Sequence, residues 1–194
     1  MSLTVVVYCA SSNQVAPVYF DAVERVANHL VDNQATVVYG GGGIGLMGRL
    51  ADTVLTRKGH IIRIMPEFMR QVEWAHKGVS EFQFVEDMHE RKKRFLLGVD
   101  AVVTLPGGCG TFEELMEAIT LKRLGQFTKP IIIVNINRFY DSLITLLERS
   151  IEERFMAPEH RQLWTIVEEP EQIIDAIRQT PDWDPQAIHF ATLT

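Results

Sequence analysis

The chain has 194 residues, of which 46% are hydrophobic and 23% are charged. These proportions exclude the disordered and fibrous classes, and the length suits one domain with a sizeable core. The formal net charge of −6 excludes a general nucleic-acid-binding surface, which needs clustered lysine and arginine.

The sequence offers no pattern for a metal site, a disulfide framework or a membrane span. Cys9 and Cys109 are too few for a framework, and neither they nor the six histidines have metal-ligand spacing. No apolar run approaches the length of a membrane span, and strand-like residues begin at Leu3, which leaves no room for a signal peptide. We therefore expect a cytoplasmic protein with no metal, no cofactor, and no nucleic-acid or membrane partner.

Strand-like and helix-like patterns alternate along the chain. The predicted strands are 4–9, 36–39, 60–65, 82–85, 101–105 and 130–134. The predicted helices are 17–33, 46–58, 89–98, 111–124, 140–154 and 170–180. Continuous apolar strands that alternate with helices favour an α/β fold, in which a mostly parallel sheet has helices on both faces. We expect residues 1–180 to form this single domain and residues 181–194 to be a loose tail.

The unusual residues follow the predicted strands. Ser11-Ser12 follows the first strand, Gly40 to Gly43 the second, Glu67 the third and Pro106 to Thr111 the fifth. Because crossovers in a parallel sheet are right-handed, the loops after the strands gather along one edge, where ligands bind. The sequence therefore predicts a ligand site at the carboxyl edge of the sheet.

The first glycine loop follows the second strand and includes a GxGxxG pattern made by Gly43, Gly45 and Gly48. A dinucleotide site needs this pattern between a strand and a helix, but after the first strand rather than the second. The alternative is a tight turn in which glycine only permits close packing. We favour ligand binding. The residues of this region and of the first loop that we expect to contact a ligand are Gly41, Gly42, Met47 and Ser12.

The second glycine loop is the most informative stretch, Pro106-Gly107-Gly108-Cys109-Gly110-Thr111-Phe112-Glu113-Glu114. A strand that breaks into glycines and then opens a helix exposes backbone N–H groups at a positive helix end, which suits a phosphate. No Lys-Ser/Thr pair follows the last glycine, so this is not a nucleoside-triphosphate loop. Cys109 has no evident histidine partner and is interpreted as a small space-filling residue.

Two adjacent carboxylates, Glu113 and Glu114, lie beside this predicted anion site. Acids in a first helical turn stabilise the helix, but acids next to a phosphate site indicate chemistry. Glu117 lies one turn further along, where it either supports the site or faces water.

A basic run, Met88-His89-Glu90-Arg91-Lys92-Lys93-Arg94, follows the fourth predicted strand. It is either a solvated helix face, with Glu90 paired to Arg94, or part of the ligand edge. In the second case Arg91 offers a planar, permanently charged fork to a phosphate or a leaving base.

Together, Tyr39-Gly40-Gly41-Gly42 with Gly45-Leu46-Met47-Gly48, Met88-His89-Glu90-Arg91-Lys92 and the PGGxGTxxE pattern of residues 106–114 closely resemble the LOG ("Lonely Guy") family. These are cytokinin riboside 5′-monophosphate phosphoribohydrolases, long labelled lysine decarboxylases. The resemblance extends from Cys9 to about Met156. It implies a Rossmann-like, doubly wound fold, a homodimer, and hydrolysis of the N-glycosidic bond of a nucleoside 5′-monophosphate. AMP or an N6-modified AMP would yield a free base and ribose 5-phosphate.

By position, the resemblance implies that Arg91 and Glu114 are the catalytic pair. The substrate contacts that it implies are Glu73, Lys92, Gly107, Gly108, Cys109, Gly110, Thr111, Phe112, Glu113 and Thr120. The chain departs from the family at Ala10, where glycine is common, and at Leu121 to Leu124, where a Trp-containing stretch is common. A non-catalytic nucleotide sensor and a nicotinamide-dependent oxidoreductase are the alternatives.

Overall fold

Residues 3–71 and 75–190 are described by a computed structural model, and within them seven strands form one sheet. The strands are β1 (Thr4–Tyr8), β2 (Thr36–Tyr39), β3 (His60–Pro66), β4 (Glu81–Val85), β5 (Ala101–Thr104), β6 (Ile131–Val134) and β7 (Thr165–Val167). The helices are α1 (Pro17–Asp32), α2 (Gly45–Thr56), α3 (Met88–Leu96), α4 (Cys109–Arg123), α5 (Asp141–Glu152) and α6 (Ile173–Gln179). Short 3-10 turns occur at Glu67–Gln71, Ile136–Arg138, Pro158–Leu163, Pro170–Gln172 and Ala187–Phe190.

The strand order places a crevice at the centre of the sheet. The order is β4-β3-β2-β1-β5-β6-β7, and every neighbouring pair is parallel. The chain runs outward from β1 to β4 and then returns to the other side of β1 to begin β5. The loops after β1 and β5 therefore leave in opposite directions, as at the switch point of a doubly wound sheet. The predicted Rossmann-like α/β class is confirmed.

The helices cover both faces of the sheet because alternate strand residues point to opposite sides. Along β1, Val5 and Val7 belong to one apolar cluster, and Val6 and Tyr8 belong to the other. Helices α1, α2 and α6 contribute buried residues to the first cluster, whereas α3, α4 and α5 contribute to the second. The central strands β1, β2, β5 and β6 are thus buried on both sides, in agreement with their continuous apolar sequences, whereas the edge strands β4 and β7 are partly exposed.

Three elements differ from the sequence prediction. β7 was not predicted, because its three residues at the sheet edge are too few to show a period. The predicted helix 170–180 begins as a 3-10 turn, and regular α-helix starts only at Ile173. Helix α4 begins at Cys109 rather than at Thr111, because Gly108 acts as the N-cap and accepts the Phe112 N–H at 3.0 Å.

The segment 181–190 lies on the domain and is not loose, contrary to our expectation for 181–194. The Trp183 N–H donates to the Thr128 carbonyl at 2.7 Å, and Ala187 is fully buried. Gly125 permits this approach, since a Cβ there would overlap the carbonyl of Pro185. The assignment of residues 1–180 as the domain stays a prediction.

Candidate active site

A cavity of about 400 Å³ opens at the carboxyl edge of the sheet, where the loops after β1, β2 and β5 meet. The β1 loop contributes Ser11, and the β2 loop contributes Gly40. The first turn of α4 contributes Gly108 to Thr111, followed by Glu114, and α3 contributes Arg91. The ligand edge predicted from the strand-following residues is therefore a real concavity.

The start of α4 directs several unpaired backbone amides toward the cavity. The first bond of the helix runs from the Phe112 N–H to Gly108, so the N–H groups of residues 108–111 have no acceptor within the helix. No acceptor elsewhere in residues 3–71 and 75–190 receives them, and Gly108 has no side chain to cap the helix. Nothing lies within 4 Å of a Cβ placed at Gly108 or Gly110, so this surface is open. Free amides at the positive end of a 15-residue helix attract a phosphate.

Arg91 is a buried cation in the wall of the same cavity. It is only 6% exposed, its Nη2 donates to the Gly40 carbonyl at 3.3 Å, and its guanidinium carbon lies 5.1 Å from the centre of the Phe95 ring. Its Nε has no partner among the described residues. Since a buried polar group without a partner is costly, this nitrogen is a donor that a ligand can satisfy.

Glu114 faces Arg91 across the cavity, with its Oε1 3.9 Å from Arg91 Nη2. Burial and then the Glu114 carboxylate raise the pKa of the Cys9 thiol. The same two causes, followed by Glu117, raise the pKa of the Tyr8 hydroxyl, which Arg91 partly opposes. Both groups therefore remain neutral at pH 7, and Arg91 and Glu114 are the charged side chains that line this cavity.

Lys92 lies beside the site and is paired to two carboxylates. Its Nζ is 2.5 Å from Glu113 and 2.9 Å from Glu117, and these contacts, led by Glu113, raise the pKa of Lys92. Glu113 is half exposed and lies outside the cavity lining. Glu114 is thus the carboxylate of the pair that faces the cavity, and Glu117 supports the site by holding Lys92.

The predicted site residues divide into three groups. The cavity is lined by Arg91, Glu114, Gly108, Cys109, Gly110, Thr111 and Met47. Outside its lining lie Lys92, Gly107, Phe112, Glu113, Thr120, Ser12, Gly41 and Gly42. Glu73 falls outside the described residues. The substrate contacts of all these residues stay predictions.

Cys109 is not the space-filling residue that its sequence context suggested. It is exposed, because the first turn of α4 projects its side chains toward the open cavity. Ser11, Gly40, Met69 and Met88 also line the cavity, although none of them was predicted to contact the substrate. The sequence placed Ser11 and Gly40 at the ligand edge and Met88 in the basic run, whereas no pattern singled out Met69.

Close packing accounts for two glycines of the GxGxxG pattern. Gly45 has a φ of +63°, and a Cβ there would overlap the backbone of Ser11. A Cβ at Gly48 would lie 2.6 Å from the carbonyl oxygen of Gly43. The contact that these glycines allow includes a 3.1 Å bond from the Met47 N–H to the Ala10 carbonyl, which fixes the β1 loop at the cavity. Here the tight-turn interpretation is correct.

A larger groove of about 660 Å³ lies between α3 and α4. Its lining contains four carboxylates, from Glu86, Asp87, Glu90 and Glu117, against one lysine, Lys93, so the groove suits an anion less well than the smaller cavity does. In the described part of the chain, no group of three or more His, Cys, Asp or Glu residues is arranged to hold a metal ion. No helix there is long and apolar enough to cross a membrane.

The fold and this cavity define an α/β protein of the Rossmann type with a crevice at the switch point of its sheet. Residues 47–177 match the family model described as "Possible lysine decarboxylase". The chain is 35% identical to cytokinin riboside 5′-monophosphate phosphoribohydrolase LOG7 of Arabidopsis thaliana, over 93% of this chain and 82% of that protein. It is 39% identical to LOG3 of the same plant, over 81% of this chain and 73% of that protein. The chain therefore belongs to the LOG family.

Solved structures share the fold at low sequence identity. The molybdenum cofactor carrier protein of Chlamydomonas reinhardtii is similar with a TM-score of 0.68 at 16% identity, over 93% of this chain and 98% of that one. The molybdenum cofactor binding protein of Rippkaea orientalis is similar with a TM-score of 0.68 at 18% identity, over 92% of this chain and 96% of that one. At these identities the likeness concerns the fold alone.

Proposed function

We propose that this protein hydrolyses the N-glycosidic bond of a nucleoside 5′-monophosphate, AMP or an N6-modified AMP, to the free base and ribose 5-phosphate. The observation that carries the proposal is one cavity that holds both the unpaired amides of residues 108–111 and the Arg91–Glu114 pair. The names of the relatives support the same activity.

The 5′-phosphate binds at the start of α4. The N–H groups of residues 108–111 donate to its oxygens, and the helix end supplies a favourable field. Gly107 allows the loop to close, since a Cβ there would overlap the side chain of Thr111. Anchoring at the phosphate supplies binding energy that holds the ribose carbon against the catalytic wall.

Glu114 and Arg91 act on the bond that breaks. Departure of the base leaves an oxocarbenium-like sugar, and the Glu114 carboxylate stabilises this positive charge and orients the attacking water. Negative charge develops on the departing base, where the Arg91 guanidinium stabilises it electrostatically. A guanidinium is a poor acid, so Arg91 is not the proton donor. The water oxygen bonds to the sugar carbon as the carbon–nitrogen bond breaks, and the proton that the water loses to Glu114 passes to the base through solvent. Lys92, paired with Glu113 and Glu117, completes the charged surroundings of the pair.

A chromatographic screen tests the proposal. Purified protein is incubated with AMP, isopentenyladenosine monophosphate, GMP, CMP and UMP, and both the base and ribose 5-phosphate are measured. We expect equal amounts of both products from an adenine nucleotide. If all five nucleotides stay intact while calorimetry detects their binding, the chain is instead a nucleotide sensor.

We also propose that the protein is a homodimer that works in the cytoplasm. Leu97, Leu146 and Phe155 are 62%, 60% and 76% exposed, and these apolar side chains lie at or near α3 and α5, on one face of the sheet. A second copy would cover such surface. Sedimentation velocity is expected to give a single species of twice the chain mass.

The location in the cytoplasm is supported by the cysteines. The two free thiols, Cys9 and Cys109, suit a reducing compartment.

A further inference from the structure

We propose that His76 and Asp52 form a clamp that positions the Arg91 guanidinium by fixing the loop Gly40–Gly43. This inference rests on the proposed function, because it assigns Arg91 its catalytic role. His76 itself lies outside the lining of the cavity. It is therefore a positioning residue and not a catalytic one.

The backbone of His76 is bonded to the glycine loop. Its N–H donates to the Gly41 carbonyl at 3.1 Å, and Ala75 pairs with Gly42 in an isolated antiparallel bridge. Arg63 Nη1 donates to the His76 carbonyl at 3.0 Å and so ties His76 to β3. Ala75 and His76 thus hold Gly41 and Gly42 of the glycine loop.

The His76 side chain binds the helix that follows the loop. Its Nε2 lies 2.9 Å from Oδ1 of Asp52 on α2, and the side chain is only 12% exposed. The Gly78 N–H donates to His76 Nδ1 at 3.1 Å, so Nδ1 is an acceptor and the proton lies on Nε2, which donates to Asp52. His76 therefore joins Gly41, in the glycine loop, to α2, the helix that follows the loop.

The other face of the loop carries Arg91. The Gly40 carbonyl accepts from Arg91 Nη2 at 3.3 Å, and a Cβ at Gly40 would overlap the guanidinium. Gly41 has a φ of +89° and no side chain, so the loop has little local rigidity of its own. A shift of this carbonyl moves the guanidinium relative to Glu114. The clamp and the catalytic cation are thus bonded to adjacent residues, Gly41 and Gly40.

The test compares His76→Ala with His60→Ala. His60 is a matched control, because its Nε2 also lies close to a carboxylate, Glu81, at 2.5 Å, but at the first residues of β3 and β4. That is the edge of the sheet opposite the cavity. We expect His76→Ala to lower kcat by about 10-fold to 100-fold, since a small misplacement of a catalytic group has effects of this size. KM should change less than about threefold, because the phosphate amides are untouched.

Four further measurements make the test decisive. His76→Gln, which keeps a donor toward Asp52, should recover most of kcat, and Asp52→Ala should reproduce the loss. The double variant His76→Ala with Asp52→Ala should lose no more than either single variant, because both remove one contact. Hydrogen exchange of peptides covering residues 39–48 should be faster in His76→Ala than in the wild type, and unchanged in His60→Ala.

Each outcome has one meaning. An unchanged exchange rate in His76→Ala, an equal loss of kcat in His60→Ala, or a loss confined to KM overturns the clamp. Hydrogen exchange is measured without turnover, so it separates this inference from the proposed function. Exchange that is faster in His76→Ala than in the wild type, together with a wild-type protein that releases no base, would support the clamp and contradict the phosphoribohydrolase activity.

Discussion

Glu114 carries the negative charge of the cavity, and its neighbour Glu113 does not. The two residues are adjacent in the chain, yet helix geometry turns Glu114 toward Arg91 and Glu113 toward Lys92. Successive helical residues are rotated by about 100°, so adjacent carboxylates cannot share one environment. The two neighbouring acids therefore have different partners because their side chains point in different directions.

We predict that Glu114→Gln lowers kcat by about 100-fold or more while the fold survives, because the amide cannot stabilise a positive sugar. The measurement is base release at saturating substrate, with circular dichroism to confirm folding. Glu113→Gln is the matched variant, and its loss should be below about 10-fold. Equal losses would contradict the assignment of Glu114 as the carboxylate that faces the reaction.

Lys122 is a buried lysine on the face of the sheet that α3, α4 and α5 cover. It lies on α4, is fully buried, and its Nζ has no hydrogen-bond partner among the described residues. Burial lowers the pKa of Lys122 to about 8, and Asp182 opposes this only in part. Neither the glycine loops nor the Arg91–Glu114 pair requires this lysine.

We predict that Lys122→Met raises the free energy of unfolding at pH 7 by roughly 1 to 3 kcal/mol, since an apolar side chain of similar length avoids burying a charge. The folded-state pKa of Lys122 is about 8, below the ordinary value of 10.5. Between pH 8 and pH 10.5 the unfolded wild type binds more protons at this lysine than the folded wild type does, so the stability of the wild type rises with pH. The advantage of Lys122→Met should therefore shrink as pH rises from 8 to 10.5.

Urea denaturation at pH 7, 8, 9 and 10 measures this effect. The control is Lys129→Met, an exposed lysine paired to Asp182, which should change stability by less than about 1 kcal/mol at any of these pH values. A gain that does not vary with pH would show that desolvation of the Lys122 charge is not its cause.

At the scale of elements, α3 depends on its N-terminal cap. Asp87 accepts the Glu90 N–H at 2.8 Å, and Glu90 Oε2 accepts the Glu86 N–H at 2.7 Å. These two bonds begin a helix of only nine residues, which carries both Arg91 and Lys92. A short helix derives little stability from its own backbone, so the cap and the burial of Phe95 hold it in place.

We predict that Asp87→Ala lowers the free energy of unfolding by about 1 kcal/mol, because the Glu90 N–H loses its acceptor. Asp87→Asn keeps an acceptor oxygen and should lose less than half as much. Chemical denaturation of the three proteins measures both differences. If asparagine is as destabilising as alanine, the hydrogen bond is not what Asp87 contributes.

At the scale of the whole molecule, the C-terminal segment packs against the loop that precedes β6. Trp183 and Ala187 join the loop at residues 125–128 to the end of the chain, far from the cavity. The active-site cavity is instead made from the β1, β2 and β5 loops and from α3 and α4. Stability and chemistry are thus placed on different parts of the domain.

We predict that a chain ending at Thr180 unfolds at a lower temperature by roughly 5 °C or more, because the Trp183 bond and the burial of Ala187 are lost. Differential scanning calorimetry measures the change. The control is Asp182→Asn, which removes the exposed ion pair with Lys129 and the charge that favours the Lys122 ammonium, but keeps the Trp183 bond and Ala187, and it should shift Tm by no more than about 3 °C. An unchanged Tm on truncation would make residues 1–180 the complete stable domain.

The sequence by itself determined the class of fold and the two glycine loops. These follow from local patterns: a period of two or of about 3.6, and glycines after strands. Arg91 and Glu114 were named as a pair through the resemblance to the LOG family, and not through a local pattern. The sequence also predicted the ends of most helices to within two residues of their positions in the structure, since the apolar stripes of these helices are long.

Only the tertiary structure decided which of these residues share a cavity. The strand order brings Gly40 beside Arg91 and leaves Gly41, Gly42 and Ser12 outside the lining, and no local period encodes that order. It also decided that Cys109 is exposed and that His76 reaches Asp52 on α2. Such contacts join residues far apart in the chain, so they arise from packing of the whole domain and not from any segment's own preference.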